Sequence, residues 1–279
     1  MTAYTAPGSL IAAGHHHAAS PASFSVPARH NPRLQALVDR INADDELRQL
    51  WRCANVNAVD RLGLSDHGET HIRIVANASL RLLRLLGEAG QTPGVVAAHG
   101  LAREDAEVLV VLAAALHDVG LAVHAERRAE FGLALAHDRA RDLLAGLYGV
   151  RERTLLTAEA LHAIAAHLNA WPGLTLEAGI LRLADALDMT KGRARTPEAA
   201  DSGLPALAAA SIEEVSLRRG ESRPVRIEIR LNQASGAPHA EDLLRRRLAG
   251  SPLAGLVESF ARLETAADRR FIPLYTSQT

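Results

Sequence analysis

The chain has 279 residues, of which 48% are hydrophobic and 23% are charged, so it has the composition of a globular protein with a sizeable core. These values exclude a chain that is disordered throughout, a collagen-like chain and a disulfide scaffold. A net charge of −1 gives no overall attraction to nucleic acid or to an anionic membrane. The single cysteine, Cys53, cannot form an internal disulfide, which favours a reducing, cytoplasmic location.

Residues 1–31 are predicted to form a disordered N-terminal tail. Proline, glycine, alanine and serine are frequent there, and no apolar periodicity is sustained. The best apolar stretch, residues 10–13, is far too short for a signal peptide or a membrane span, so no membrane partner is expected.

Residues 32–195 are predicted to form an all-α domain because their apolar side chains recur at helical spacing. The segment 108–116 is apolar nearly all round and is therefore expected at the centre of the bundle. Further helices are predicted at about 125–147, 152–169 and 175–189, separated by glycine and proline.

Residues 196–279 are predicted to form a small α+β subdomain, which makes the whole chain mainly α. Apolar and polar residues alternate over 225–231, as in a half-buried strand, and residues 212–217 are expected to complete a hairpin. One or two helices are predicted from the leucines between 243 and 263, and a last short strand at 271–275. The charge balance of this subdomain does not indicate a nucleic-acid polymer as a partner.

Histidines and aspartates stand at unusual positions in the helical pattern. His117 and Asp118 end the most apolar helix, where ionisable side chains are costly unless something satisfies them. Asp185 lies inside an apolar stripe, and His67 and His71 share one helix face. A helical bundle can direct such side chains to one metal centre. His124, His162 and His167 are further candidates.

Four matching positions resemble the HD-domain superfamily of metal-dependent phosphohydrolases: His71 in HIRIVANAS, His117 and Asp118 in ALHDVG, and Asp185 in RLADALD. The resemblance covers about residues 60–195 and implies the helical bundle of an HD domain. It also implies that these four residues bind one divalent cation, with Asp118 able to bridge to a second.

Related binuclear proteins bind a second ion through further histidines, and this chain has only some of them. His167 matches the first histidine of a paired motif, but Leu168 and Asn169 follow it, and Arg128 occupies a position where another histidine is common. His124 and His67 are the candidate replacements, so one or two ions are expected. The ligand types suit Mn, Fe, Co, Ni or Zn, and Mg is also compatible.

The implied reaction is hydrolysis of a phosphomonoester or phosphodiester of a small molecule, with a nucleotide among the candidates. Asp118, His117 and Lys191 are the predicted catalytic residues. Lys191 is the sole lysine in an arginine-rich chain. The residues predicted to bind phosphate or substrate are Arg128, Lys191, Arg193, His67 and His162.

Two other functions remain open at this point. One is a nucleotide-sensing or regulatory module without turnover, and the other is a di-iron oxygenase that requires His124 and either His162 or His167 as ligands. A homo-oligomer is compatible with the sequence. Three other residues have ordinary structural interpretations. Asp188 is interpreted as a surface carboxylate, with contact to a leaving group as the alternative, and His239 as a structural or surface histidine. Glu177 either complements the dipole at a helix start or orients a ligand histidine.

Overall fold

The computed structural model describes residues 23–168, 172–190, 210–264 and 269–274. Its helices and strands, in chain order, are α1 (Pro32–Ala43), α2 (Asp45–Asn55), α3 (Glu69–Glu88), α4 (Gly94–His99), α5 (Arg103–Leu116), α6 (Arg128–Leu144), α7 (Val150–His167), α8 (Leu176–Leu187), β1 (Ile212–Arg219), β2 (Val225–Leu231), α9 (Gly236–Leu248), β3 (Val257–Glu264) and β4 (Arg269–Pro273). A π-helical segment, Val56–Arg61, follows α2, and a 3₁₀ turn, Val119–Ala122, follows α5. The prediction of a mainly α chain with a small C-terminal α+β part is confirmed.

Helix α5 is the centre of the bundle, as its uniformly apolar sequence predicted. All its residues from Asp105 to Leu116 are buried, and it contacts α1, α3, α7 and α8. A helix that is apolar on every side gains stability only where other helices surround it. The residues that directly follow the C-terminal end of α5 therefore lie in the protein interior.

The first described residues belong to the bundle. Phe24 and Ala28 are buried, and the Phe24 ring lies 5.9 Å from that of Trp51. Asn31 caps α1 by accepting a hydrogen bond from the backbone N–H of Leu34. The predicted disordered tail is therefore wrong for residues 23–31, where a few apolar side chains suffice to hold an irregular segment on the core. Residues 1–22 lie outside the described part of the chain.

Four strands form one sheet in the order β1-β2-β3-β4. The predicted hairpin is confirmed as the antiparallel pair β1 and β2, and the last predicted strand corresponds to β4. Strand β3 runs parallel to β2, and α9 forms the crossover between them.

A helix predicted over residues 253–263 is wrong, because most of this segment forms strand β3. Leu256, Phe260 and Leu263 have helical spacing, but Ser259, Ala261 and Leu263 also satisfy the period of a strand and face the core. The segment forms a strand because it pairs with both β2 and β4.

The C-terminal subdomain packs directly on the bundle. Helix α9 lies against α8, and β1 and β2 contact α3. Arg182 of α8 donates a hydrogen bond of 2.8 Å to the backbone oxygen of Arg246. One continuous apolar core joins the two parts, so α9 is held beside the C-terminal half of α8. Among the described helices, none has the length and apolar character needed to cross a lipid bilayer.

Candidate metal centre

Two ionisable residues follow the buried end of α5. His117 is 2% exposed and Asp118 is 3% exposed. The chain turns directly after them into the 3₁₀ segment Val119–Ala122, in which Gly120 lies against the backbone of α6. This local turn keeps both side chains inside the bundle.

Four histidine rings form a row that begins with His67, two residues before α3 and so not on the helix of His71, and ends with the last residue of α7. Successive ring centroids are 5.4 Å apart from His67 to His71, 5.3 Å from His71 to His117, and 5.2 Å from His117 to His167. His71, His117 and His167 are fully buried or nearly so. The three helices α3, α5 and α7 therefore bring together histidines that are far apart in the sequence.

Hydrogen bonds define the tautomer of these rings. Nδ1 of His117 donates to the backbone oxygen of Ala114 at 2.8 Å, and Nδ1 of His167 donates to that of Ile164. A carbonyl oxygen can only accept, so the proton is on Nδ1 and the lone pair is on Nε2. Nδ1 of His71 donates to Oδ2 of Asp188 at 2.7 Å. Such contacts are typical of histidines that bind a metal through Nε2.

The Nε2 atoms face two carboxylates. Oδ2 of Asp118 lies 3.4 Å from Nε2 of His117 and 3.6 Å from that of His71, and its Oδ1 lies 4.0 Å from Nε2 of His167. Oδ1 of Asp185 is 3.5 Å from Nε2 of His71. All five side chains therefore direct a nitrogen or oxygen atom into one small volume.

These donor atoms fit a divalent ion. Two groups, His71 with His117 and Asp185, and His117 with Asp118 and His167, each place their donor atoms within 4.8 Å of one another. Ligands about 2.1 Å from a tetrahedral ion are about 3.4 Å apart, close to the 3.4–3.6 Å observed between several of these atoms. Nε2 of His117 and of His167 are buried without a hydrogen bond to any described residue, a cost that a bound cation removes.

The pKa shifts of Asp118 and His167 favour the protonation states that a metal requires of these two residues. Burial raises the pKa of Asp118, but the neighbouring His117, His67 and His71 outweigh burial and hold it well below its usual range. Burial, followed by the charge of His117, lowers the pKa of His167 to about 4. At neutral pH the aspartate is thus ionised and this histidine is neutral, as metal ligands must be.

Sequence reasoning missed a residue of α9 that reaches this centre. Arg247 donates one hydrogen bond to Oδ2 of Asp185 at 3.1 Å and another to the backbone oxygen of His167 at 2.7 Å. It therefore holds one carboxylate oxygen of Asp185 while the other faces His71. No local pattern distinguishes Arg247 from its neighbours Arg245 and Arg246, because its role depends on where the subdomain packs.

A cavity of about 250 Å³ opens beside the donor atoms. Asp118 and Asp185 line this cavity, and so do the basic residues Arg128 and Arg247. His67 also faces the cavity, and its Nδ1 donates to the backbone oxygen of Ser65 at 2.7 Å. Arg128 and His67, two predicted substrate-binding residues, thus lie beside the candidate metal ligands.

Other predicted site residues lie elsewhere. His124 is exposed, and its Nδ1 accepts a hydrogen bond from the backbone N–H of Arg127. His162 accepts one from the backbone N–H of Leu174. Neither belongs to the donor groups found among the described residues or to the cavity wall. Lys191 and Arg193 lie outside the described residues, so their predicted roles remain predictions.

Two residues, Asp188 and Glu177, have roles that differ from their sequence-based interpretations, and a third, His239, lies at the cavity. Asp188 is 4% exposed and holds His71, so it is not a surface carboxylate. Glu177 accepts hydrogen bonds from the backbone N–H groups of Gly94 and Val95, and so caps α4 rather than only starting α8. His239 lines the cavity. The partners of Asp188 and Glu177 are remote in the sequence.

Two asparagines hold the loops around the centre. Oδ1 of Asn55 accepts a hydrogen bond of 2.9 Å from the backbone N–H of His67, and Nδ2 of Asn57 donates to the backbone oxygens of Leu121 and Ala122. Asn55, the last residue of α2, thus holds the segment before α3, and Asn57, in the π-helical segment that follows, holds the turn after Asp118. π-Helical turns are often found at functional sites.

We predict that Asp188→Asn weakens metal binding by about 10- to 100-fold, because a neutral amide holds Nδ1 of His71 less strongly than a carboxylate does. Calorimetric titration with Mn²⁺ or Zn²⁺ measures this change. Asp138→Asn is the matched control, since Asp138 also contacts a histidine Nδ1, that of His137, at 2.9 Å, but on the surface. Equal affinity in wild type and Asp188→Asn contradicts the assigned role.

Comparison with known proteins identifies the family. The family model of the HD domain matches residues 69–190, which include His71, His117, Asp118, His167 and Asp185. An uncharacterized protein of Methanocaldococcus jannaschii is 34% identical over 229 residues, covering 82% of this chain and 88% of that protein. No solved structure matches significantly. The chain belongs to the HD-domain superfamily, whose members are mostly metal-dependent hydrolases.

Proposed function

We propose that this protein is a metal-dependent phosphohydrolase that acts on a phosphate ester of a small molecule. The observation that carries the proposal is that Asp118 and Asp185, the carboxylates of the buried histidine and aspartate cluster, line a cavity that Arg128 and Arg247 also line. Donor atoms that can bind a metal ion and arginine side chains that can bind a phosphate therefore lie close together. Membership of the HD-domain superfamily supports the same class of reaction.

His71, His117, Asp118 and Asp185 would hold one divalent ion, and His167 with Asp118 offers donors for a second. The mixed nitrogen and oxygen donors favour Mn, Fe, Co, Ni or Zn, with Mg a weaker fit because it prefers oxygen ligands. A divalent ion bound there lowers the pKa of water and polarises a phosphoryl oxygen.

The protein residues perform the remaining tasks. The ionised Asp118 accepts a hydrogen bond from the attacking water and so orients it. Arg128 binds the phosphoryl oxygens through charge-assisted hydrogen bonds. Arg247 keeps Asp185 oriented, and the buried position of the cluster limits access of bulk water. Lys191 and Arg193 are further proposed phosphate-binding residues on the basis of the sequence alone.

The proposal is tested by metal analysis of the purified protein together with a panel of phosphorylated metabolites. We expect at least one bound transition-metal ion per chain and phosphate release that stops on chelation and returns on addition of the metal. Oxygen consumption without phosphate release would favour the oxygenase instead. Binding of a nucleotide without turnover of any panel member would favour the sensing module. Either outcome, or full activity in the presence of chelator, contradicts the proposal.

A further inference from the structure

Helix α9 has one buried face and one half-buried face. Ala237, Ala240, Leu244 and Leu248 are buried in the common core. His239, Leu243 and Arg247 follow one another at intervals of four residues and line the same cavity as Asp118 and Asp185. The second face of this helix is thus part of the candidate active site. We call these three residues the cavity face of α9.

Arg247 fixes the cavity face relative to the metal centre through its hydrogen bonds to Asp185 and to the backbone of His167. Because an α-helix rises 1.5 Å per residue, Leu243 and His239 lie about 6 and about 12 Å farther along the helix axis. The organic group of a phosphate ester bound at the metal centre can therefore contact these two side chains.

Two residues of the cavity face, His239 and Leu243, suit an uncharged organic group. Leu243 shares this part of the cavity wall with Ala186 and Met189, which supply apolar surface. Burial, and then the positive charge of Arg246, lowers the pKa of His239, so its imidazole is neutral at pH 7. A neutral imidazole donates or accepts a hydrogen bond but offers no charge for a second phosphate group.

We propose that His239 and Leu243 bind the organic part of the substrate, and that α9 thereby selects organic phosphate esters over inorganic phosphates. This inference rests on the proposed function, since it requires a phosphoryl group at the metal centre. It gives the C-terminal subdomain a role in substrate selection. His239 and Leu243 are specificity determinants, and Arg247 is a positioning residue for Asp185.

The test compares the binding of phenylphosphonate and orthophosphate to the metal-loaded, full-length protein by calorimetry. Phenylphosphonate carries an organic group that cannot be hydrolysed off, so the result does not depend on turnover. We expect the wild type to prefer phenylphosphonate by about tenfold, as is common for an apolar group in a fitted pocket. His239→Ala and Leu243→Ala should each lose most of this preference, with orthophosphate affinity and metal content unchanged.

Glu241→Ala is the matched control, because Glu241 lies on α9 but is exposed. It should retain the preference, and thermal unfolding of all variants shows whether the fold is intact. A wild type that binds both ligands equally or binds neither, or variants that keep the full preference, would overturn the inference. Loss of the preference in the variants, together with no turnover of any phosphate ester, would support the inference and refute hydrolysis.

Discussion

Replacement of Asp118 by alanine is expected to remove the bound metal and to lower phosphate release by on the order of 1,000-fold or more. The reason is geometric. Its two carboxylate oxygens face Nε2 of His71, His117 and His167 at 3.4 to 4.0 Å. Loss of this carboxylate removes a donor from the centre of the cluster and leaves the buried histidines without its negative charge.

Metal content by elemental analysis and the rate of phosphate release are the two measurements. Asp118→Asn keeps the shape of the side chain and should also lose the metal, which separates loss of ligation from creation of a cavity. Asp105→Asn is the control for a buried carboxylate: Asp105 interacts with Arg33 and Tyr148 at the other end of α5. It should lower the free energy of unfolding but keep the metal. Retention of metal and activity by Asp118→Ala would refute the assigned centre.

Gly120→Ala is expected to destabilise the fold by about 4 kcal/mol or more, or to prevent folding. A Cβ atom at Gly120 would lie 1.9 Å from the backbone oxygen of Arg128 and 2.5 Å from the backbone nitrogen of Gly132. Backbone atoms at the start of α6 cannot rotate away as a side chain can. The turn after Asp118 or the start of α6 would have to move, which would also displace Arg128 from the cavity.

Gly132→Ala is the matched control, because a Cβ atom at this helical position meets Gly120 at 3.5 Å, an ordinary contact. Since alanine favours helix over glycine by about 1 kcal/mol, this variant should be neutral or more stable. Urea unfolding compares the two variants through their midpoints. Equal midpoints for Gly120→Ala and wild type would show that the close approach of the two backbones is not required.

The principal candidate ligands could be predicted from the sequence because their signals are local. His117 and Asp118 end an unusually apolar helix, and Asp185 interrupts an apolar stripe. The structure places all three, together with His71 and His167, in the donor groups of one buried cluster. The order of these motifs was sufficient to indicate the family, which the HD-domain match then showed.

Partners of these ligands could not be predicted in the same way. Asp188 reaches His71 across 117 positions, and Arg247 reaches Asp185 across 62. At the sequence level a carboxylate after a helix or one of three consecutive arginines is typical of a solvated surface. Likewise, residues 253–263 contain both helical and strand periods, and only strand pairing selects one.

Three features of the sequence determined the class of fold and the principal candidate ligands. They are the nearly neutral, histidine-rich composition, the helical periodicity, and the spacing of the histidine and aspartate motifs. Tertiary structure alone decided which histidines converge, which carboxylates are buried, and that α9 forms a wall of the cavity. The physical reason is that periodicity reports which face of an element is buried. It does not report against what that face is buried, because the contacts of His71, His239 and Arg247 depend on how distant elements pack.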